Sequence, residues 1–409
     1  MRGLLLGLTL ALVLLPSNIP AAAVPLLRGE WSASSVALGW VVGAYLAGYS
    51  FAVVLVLPLT DRIPSRWIIV TGAAVSALAS IALPLLAHDP WSAVVLRVIA
   101  GAGLAGVYMP GVRVVAATAA PERRGLAVGL FVASFYLGSA ASFLYAGLLI
   151  GDTAGWRETM LSSAAFSGLA VPLALLGARS LPTPGGRLLL DLSVLRARPL
   201  MRTIAAYSGH AWELFSARAW MTAFLVSVLV AQGSSTAEAT GEAGRWSAII
   251  LAAGIPAVFI GGWVSDHLGR AGTALIAAVA SGMLAFVFGA LGAAPWPLLL
   301  AVGFVYSGFV AADSAVYSTR VTELAPPGKL GSAQAIQAFL GFGAGSVGPP
   351  AAGLALDLGL GWVAVFGVAG AASILCALPL LADLRRPRSA QGEASASSAS
   401  PSNERSGST

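Results

Sequence analysis

Cysteine is almost absent: Cys376 stands alone among 409 residues. An internal disulfide cannot form, and a cysteine-based metal cluster has no ligand set. Charge is scarce as well, at 10% of residues, against about 25% in an ordinary soluble domain. A Gly-x-x-x-x-Gly-Lys phosphate loop is missing, which argues against direct use of ATP. No nucleophile–base pair or metal-ligand constellation stands out, so no enzyme activity and no cofactor are expected. Gly101-Ala102-Gly103-Leu104-Ala105-Gly106 has the spacing of a dinucleotide loop. It lies inside an apolar run with no strand before it, so it reads as a helix-packing stripe. The net charge of +6 and the pI near 9.9 raise the question of nucleic acid. The basic residues are scattered over loops with no aromatic-interleaved cluster, so no nucleic-acid partner is expected.

What the chain has in abundance is apolar surface. Hydrophobic residues make up 57% and the mean hydropathy is +0.85. A water-soluble fold cannot hide that much, so the bilayer is the expected solvent. A spanning helix needs about 20 apolar residues, and twelve such runs are legible: 3–25, 35–59, 67–87, 92–116, 125–149, 159–178, 203–231, 246–264, 271–292, 296–321, 331–356 and 362–382. The 48 glycines and 23 prolines suit membrane helices, where small residues let backbones approach closely. The expected fold is an all-α membrane protein of twelve helices.

The punctuation between the runs occurs twice. Gly125 precedes Gly155-Trp156 by 30 residues, and Gly331 precedes Gly361-Trp362 by 30. Asp61 stands 64 residues before Gly125, and Asp266 stands 65 before Gly331. Arg113 and Arg320 are 207 apart, close to the same shift. A duplicated set of membrane helices is a recurrent plan of secondary transporters. The expected units are 1–180 and 202–385, a linker over 181–201 and a disordered Ser-rich tail over 386–409. The first run has the look of a signal peptide, with Arg2, an apolar stretch and Ala21-Ala22-Ala23. The repeat shift pairs it with the seventh run, so it is read as a retained helix. Eighteen basic residues fall on one side of the implied topology and three (Arg28, Arg157, Arg245) on the other. The positive-inside rule then puts both termini in the cytoplasm of a cell-membrane protein.

At these residues the chain resembles the major facilitator superfamily. Gly262-Trp263-Val264-Ser265-Asp266-His267-Leu268-Gly269-Arg270 is similar to that family's Gly-x-x-x-Asp-x-x-Gly-Arg loop. The counterpart after the second run keeps Asp61, Arg62 and Arg66 but neither glycine. Arg97 and Gly101 fit the family's Arg-x-x-x-Gly pattern in the fourth run. Gly341, Gly345, Gly348, Pro349 and Gly353 resemble its glycine–proline hinge, here in run eleven rather than run five. The resemblance implies two six-helix bundles around a central cavity lined by runs one, four, seven and ten, with the bundles rocking to expose it alternately. A small-molecule solute, protons and the lipid bilayer are the implied partners, and the chain is expected to act as a monomer.

Ionisable residues deep in the apolar runs are Arg97, His210, Glu213, Arg218 and Asp313, on runs four, seven and ten. Each costs about 2.5–3.5 kcal/mol to insert, so their gathering on the implied cavity helices points to function. With Asn18, Tyr207 and Trp212 they form the candidate substrate and coupling set. At about 100° per residue, Glu213 and Arg218 flank His210 on one broad face. Low dielectric favours the neutral carboxyl, which makes Glu213 and Asp313 candidate proton carriers, Glu213 slightly preferred. Arg97 and Arg218 offer planar donor forks for an anion; alternatively Arg97 pairs with a carboxylate. Asn18, between Pro16 and Pro20, marks either a backbone break facing the cavity or a packing kink. Asp61, Arg62, Arg66, Arg113, Glu122, Asp266, Gly269, Arg270, Arg320 and Glu323 form a candidate cytoplasmic gate. The transport expected is either proton-symport uptake of a small anion or proton-antiport efflux of an amphipathic compound, with a non-transporting membrane sensor as the remaining alternative.

Overall fold

The computed structural model describes residues 2–60, 62–120, 123–151, 154–181 and 191–384, without the Pro58 side chain. Asp61, Glu122, the centre of the linker (182–190) and the tail lie outside these residues. Among the described residues there is no strand, only an isolated bridge between Ile150 and Ala154. Twelve helices are long and apolar enough to cross a membrane: α1 Arg2–Ala22, α2 Ser35–Leu57, α3 Ser65–Leu86, α4 Pro90–Thr118, α5 Arg124–Leu149, α6 Trp156–Gly177, α7 Arg198–Ala231, α8 Thr236–Leu268, α9 Arg270–Ala293, α10 Trp296–Leu324, α11 Leu330–Asp357 and α12 Gly361–Leu384. In hydrocarbon the backbone has no water to bond, so each apolar run closes its own hydrogen bonds as a helix.

Two of these helices start about five residues or more ahead of their apolar runs. α7 begins at Arg198 rather than near 203, with Pro199 in its first turn, where a missing N–H costs nothing. α8 begins at Thr236 rather than near 246. The stretch Thr236 to Arg245 is polar and reads as a loop. It is helical because Ser235 and Glu238 cap it reciprocally, and because Ala239, Gly241, Ala243 and Gly244 are buried. The cap satisfies two otherwise orphaned donors.

Helices α1–α6 pack on one another, as do α7–α12, except that α2 packs most extensively on α11 and α5 on α8. Small residues set the spacing: a Cβ on Gly101 of α4 would stand 1.7 Å from the Tyr45 carbonyl of α2. Four helices break in mid-membrane. α1 loses its helix between Leu14 and Ile19, α6 at Gly168 and Leu169, α8 at Ala253 and α10 at Asp313.

The odd-numbered helices start, and the even-numbered ones end, at a face bearing Arg66, Arg124 and Arg270, termed here the basic face. The two halves close against each other at the opposite face. A buried cluster there joins Ile19, Leu38 and Phe143 from one half to Trp220, Leu251 and Ala352 from the other. Two seams run from this closure. Along α2–α11, Asp357 accepts from the Ser35 and Val36 backbone N–H groups at 2.8 and 2.9 Å, capping α2 from the other half. Contact continues through Gly43, whose Cβ would stand 2.1 Å from the Ser346 carbonyl. It extends to Ser50, which donates to the Phe339 carbonyl at 2.7 Å. The α5–α8 seam is different. It is tight at the closed end, where a Cβ on Gly147 would stand 2.4 Å from the Arg245 nitrogen and Arg245 donates to the Gly147 carbonyl at 2.8 Å. Beyond Tyr136 and Gly254 the two helices part.

The linker's end is tied to α11: Lys329 lies 2.9 Å from Asp191, whose N–H donates to Ser332 at 3.0 Å. Hydrogen bonds from Ser193 and the Lys329 ammonium hold the Asp191 carboxyl down at about 2.

Candidate functional site

A cavity of about 510 Å³ lies between the halves and opens toward the basic face. Its walls come from α5, α7, α8 and α10, with Tyr108 of α4 and Phe342 of α11. This departs from the expected lining by runs one, four, seven and ten. The parting of α5 and α8 turns their faces into the cavity, while α1 is held back behind α5. The Asn18 N–H donates to Ser142 at 3.0 Å and its amide to the Ser139 carbonyl at 3.4 Å. The α1 break is therefore satisfied by α5. Asn18 edges a small side recess that also holds Arg97 and Arg218.

The polar floor of the cavity is built on α7 and the α10 break. His210 Nδ1 stands 2.7 Å from Asp313 Oδ1, and both side chains are almost fully buried. His210 Nε2 lies 3.1 Å from the Ser314 hydroxyl, which accepts from the Tyr136 hydroxyl at 3.0 Å. Tyr136 belongs to α5, so this chain of groups crosses from one half of the protein to the other. The α10 break makes it possible: Asp313 and Ser314 are adjacent in sequence yet both reach the same imidazole. Tyr207 stacks near His210 at 5.9 Å, and Tyr317 lies 5.6 Å from it. Tyr136 and Ser314 escaped the sequence reading because an uncharged hydroxyl in an apolar run carries no cost that flags it. The position of Ser314 beside Asp313 was the available signal.

Arg218 lines both the cavity and the side recess. It is 5% exposed, its Nε has no hydrogen-bond partner, and no carboxylate among the described residues pairs with it. The faces of Tyr136 and Phe215 lie 5.5 and 5.6 Å from its guanidinium, a favourable but weak cation–π contact. The group is a planar fork of donors at the cavity wall.

The other expected members fall elsewhere. Arg97 donates to the Val41 and Val42 carbonyls at 3.0 and 3.3 Å and lies over Tyr45. Its partners here are backbone oxygens rather than a carboxylate. Glu213 is turned away from the cavity into its own half, where Ser281 of α9 donates to it at 2.8 Å. Trp212 packs against α11 at Gly348. Three residues apart on a helix, His210 and Glu213 share a broad face, but the packing of α9 divides that face between cavity and core.

At the basic face the expected gate residues are held within their own halves. Arg270 of α9 reaches Asp266 at 2.5 Å and Glu323 of α10 at 3.2 Å, around the left-handed turn at Gly269 (φ +88°). Arg320 bonds Thr203 at 2.9 Å and Asp383 at 2.6 Å, and not Asp313. Arg113 bonds Thr60 at 2.6 Å. Arg66 joins Arg2 and Arg179 around a polar recess, and Arg62 is exposed. Among the described residues no ion pair crosses between the halves here, in keeping with the open end. The exposed Asp266–Arg270 pair is worth under about 1 kcal/mol to stability. Asp266→Asn is therefore expected to leave the melting temperature within a few degrees while slowing transport several-fold and changing access at the basic face. Unchanged transport and unchanged access would remove Asp266 from the gate.

Two six-helix groups, closed at one face around a polar-floored cavity open at the other, define a multi-pass membrane protein with a transporter fold. The sequence profile of the Major Facilitator Superfamily matches residues 6–241 and 219–405, and the chain belongs to that superfamily. It is similar to EfpA, an uncharacterized MFS-type transporter of Mycobacterium tuberculosis, at 27% identity over 292 residues, 65% of this chain and 54% of EfpA. The chain thus spans about half the length of the curated relatives it matches. Among solved structures it is similar to the inward-open xylose transporter XylE from E. coli, with a TM-score of 0.71 and 17% identity over 94% of this chain and 96% of that one. It is also similar to a bacterial homologue of the human lysosomal transporter Spinster in an inward-facing, unoccupied form, with a TM-score of 0.70 and 16% identity over 93% and 94% of the two chains. Likeness at this level of identity describes the fold.

Proposed function

We propose that the protein is a secondary transporter working by alternating access, and that it couples a small anionic solute to protons. The observation that carries this is the chain Tyr136–Ser314–His210–Asp313, which links the cavity to a buried carboxylate across the two halves. Imidazole takes and gives protons near neutral pH, and an acid beside it in low dielectric is a proton store whose charge depends on its neighbours. Arg218 supplies the anion-holding fork. When the halves rock, Tyr136 leaves Ser314, so loading of His210 and Asp313 is tied to which face the cavity serves. The excess of arginine at the basic face favours its placement in the cytoplasm, with the cavity then facing inward. Glu213, away from the cavity and bonded to Ser281, is assigned a packing role, and the coupling role passes to Asp313.

The test is proton movement in proteoliposomes with a lumenal pH dye, driven by a panel of small anions and lipophilic cations. Anion-dependent proton movement is the expected result. Binding of solute with no proton or solute movement would replace this reading with a non-transporting sensor. Movement driven by lipophilic cations alone would replace it with efflux by antiport.

A further inference from the structure

The parting of α5 and α8 has a direction. On α5 the contact ends at Tyr136, twelve residues into the helix, which is about 18 Å from its start at 1.5 Å per residue. That is about half the bilayer's hydrocarbon core plus its interface. The gap therefore has the depth of one leaflet, the one adjoining the basic face. Its edges are apolar: Val128, Gly129 and Val132 on α5, and Ile255, Phe259 and Gly262 on α8. A Cβ added at Gly129 or Gly262 would meet nothing within 4 Å. Phe259 is 62% exposed. Over the same depth the α2–α11 seam is shut, with Tyr49 and Phe342 rings 4.4 Å apart and Phe51 and Phe339 at 5.9 Å. The α5–α8 side of the cavity is thus loosely packed where the α2–α11 side is shut, at a level where the surroundings are acyl chains.

A solute dissolved in water needs only the mouth at the basic face. A one-sided apolar slit serves a solute dissolved in the membrane. Charge is confined to the cavity floor, where Arg218, with no carboxylate partner among the described residues, lines the same cavity as His210, and the edges named above carry none. A ligand matching this gradient has an anionic head of the carboxylate or phosphate kind, which a planar guanidinium holds with two parallel bonds. Its apolar body lies along Phe215, Phe259 and Val132 and out through the slit. The cavity is within the range of small-molecule sites, about 300–1,000 Å³.

We infer that the solute is a single-tailed anionic amphiphile that reaches Arg218 sideways, from the leaflet adjoining the basic face, through the slit between α5 and α8. This rests on the transport reading above and names the class of its solute. The experiment uses three probes on the full-length protein in proteoliposomes: dodecyl phosphate below its micellar concentration, butyl phosphate as the head with little tail, and dodecylphosphocholine as the tail with a zwitterionic head. Dodecyl phosphate is expected to drive proton movement at least ten times faster than either of the others. Gly129→Trp and Gly262→Trp fill the slit from opposite edges without touching the floor, and each is expected to slow dodecyl phosphate tenfold or more. Because neither Cβ meets a neighbour, both variants are expected to fold, and loss in both together with retention in Gly129→Ala separates plugging from damage. Equal rates for butyl and dodecyl phosphate, with the plugs inert, would overturn the sideways route and leave proton-coupled anion transport standing. Equal rates for dodecylphosphocholine would overturn the anionic head. If no probe or other anion moved protons, the transport reading itself would fall.

Discussion

Asp313→Asn is expected to lower solute-driven proton movement by roughly 10²-fold or more, the contribution of a positioned acid–base group, while solute binding changes little. The amide occupies the carboxylate's volume and still meets His210 Nδ1, which lies 2.7 Å from Oδ1, but it cannot carry a proton. Alanine is the wrong substitution here, because removing one partner of a buried pair costs about 3–5 kcal/mol and would confound coupling with folding. Glu213→Gln is the companion measurement. Its carboxylate bonds Ser281 outside the cavity, so proton movement is expected to persist. Loss of movement in Glu213→Gln with retention in Asp313→Asn would return the coupling role to Glu213.

Gly43→Ala is expected to hold the protein open at the face that is closed here. The new Cβ would stand 2.1 Å from the Ser346 carbonyl oxygen of α11. That oxygen is backbone and cannot rotate aside, so the two halves must separate there. Overpacking of this kind costs about 1–3 kcal/mol, and each 1.4 kcal/mol is tenfold in population. A shift of roughly ten- to a hundredfold toward the opposite-facing state follows, with transport slowed in proportion. The contact lies between halves, so the packing of α2 on α4 within its own half is untouched. The shift is read by labelling a Ser17→Cys reporter, in a Cys376→Ser background, with a membrane-impermeant thiol reagent from the face opposite the basic one. Unchanged labelling and transport would mean that the α2–α11 seam does not move.

Much of the architecture is readable without coordinates. Twelve apolar runs become twelve helices because hydrocarbon leaves the backbone no other partner. The cost of burying charge singles out Arg97, His210, Glu213, Arg218 and Asp313, and all five are buried to 5% exposure or less. Matched loops such as Gly262 to Arg270 identify the superfamily. These signals are local, or repeat along the chain, and so survive in one dimension. The start of α8 is lost because a polar segment with a buried glycine–alanine face looks like a loop until its neighbour, α5, is known.

The contacts of the candidate site residues were decided in three dimensions. Periodicity places His210 and Glu213 on one face of α7, but the rotation of α7 against α9 and α10 sends one to the cavity and the other to Ser281. The sequence offers Arg97 a carboxylate or an anion, and the fold supplies the carbonyls of Val41 and Val42. Tyr136 joins Ser314 from 178 residues away, a contact that belongs to neither half alone. The apolar runs determined that this chain spans a membrane and which of its charges lie inside the spans. Which of them meet, which face is shut and where the slit lies depend on helix rotation and on the relative position of two halves, and no single helix encodes either.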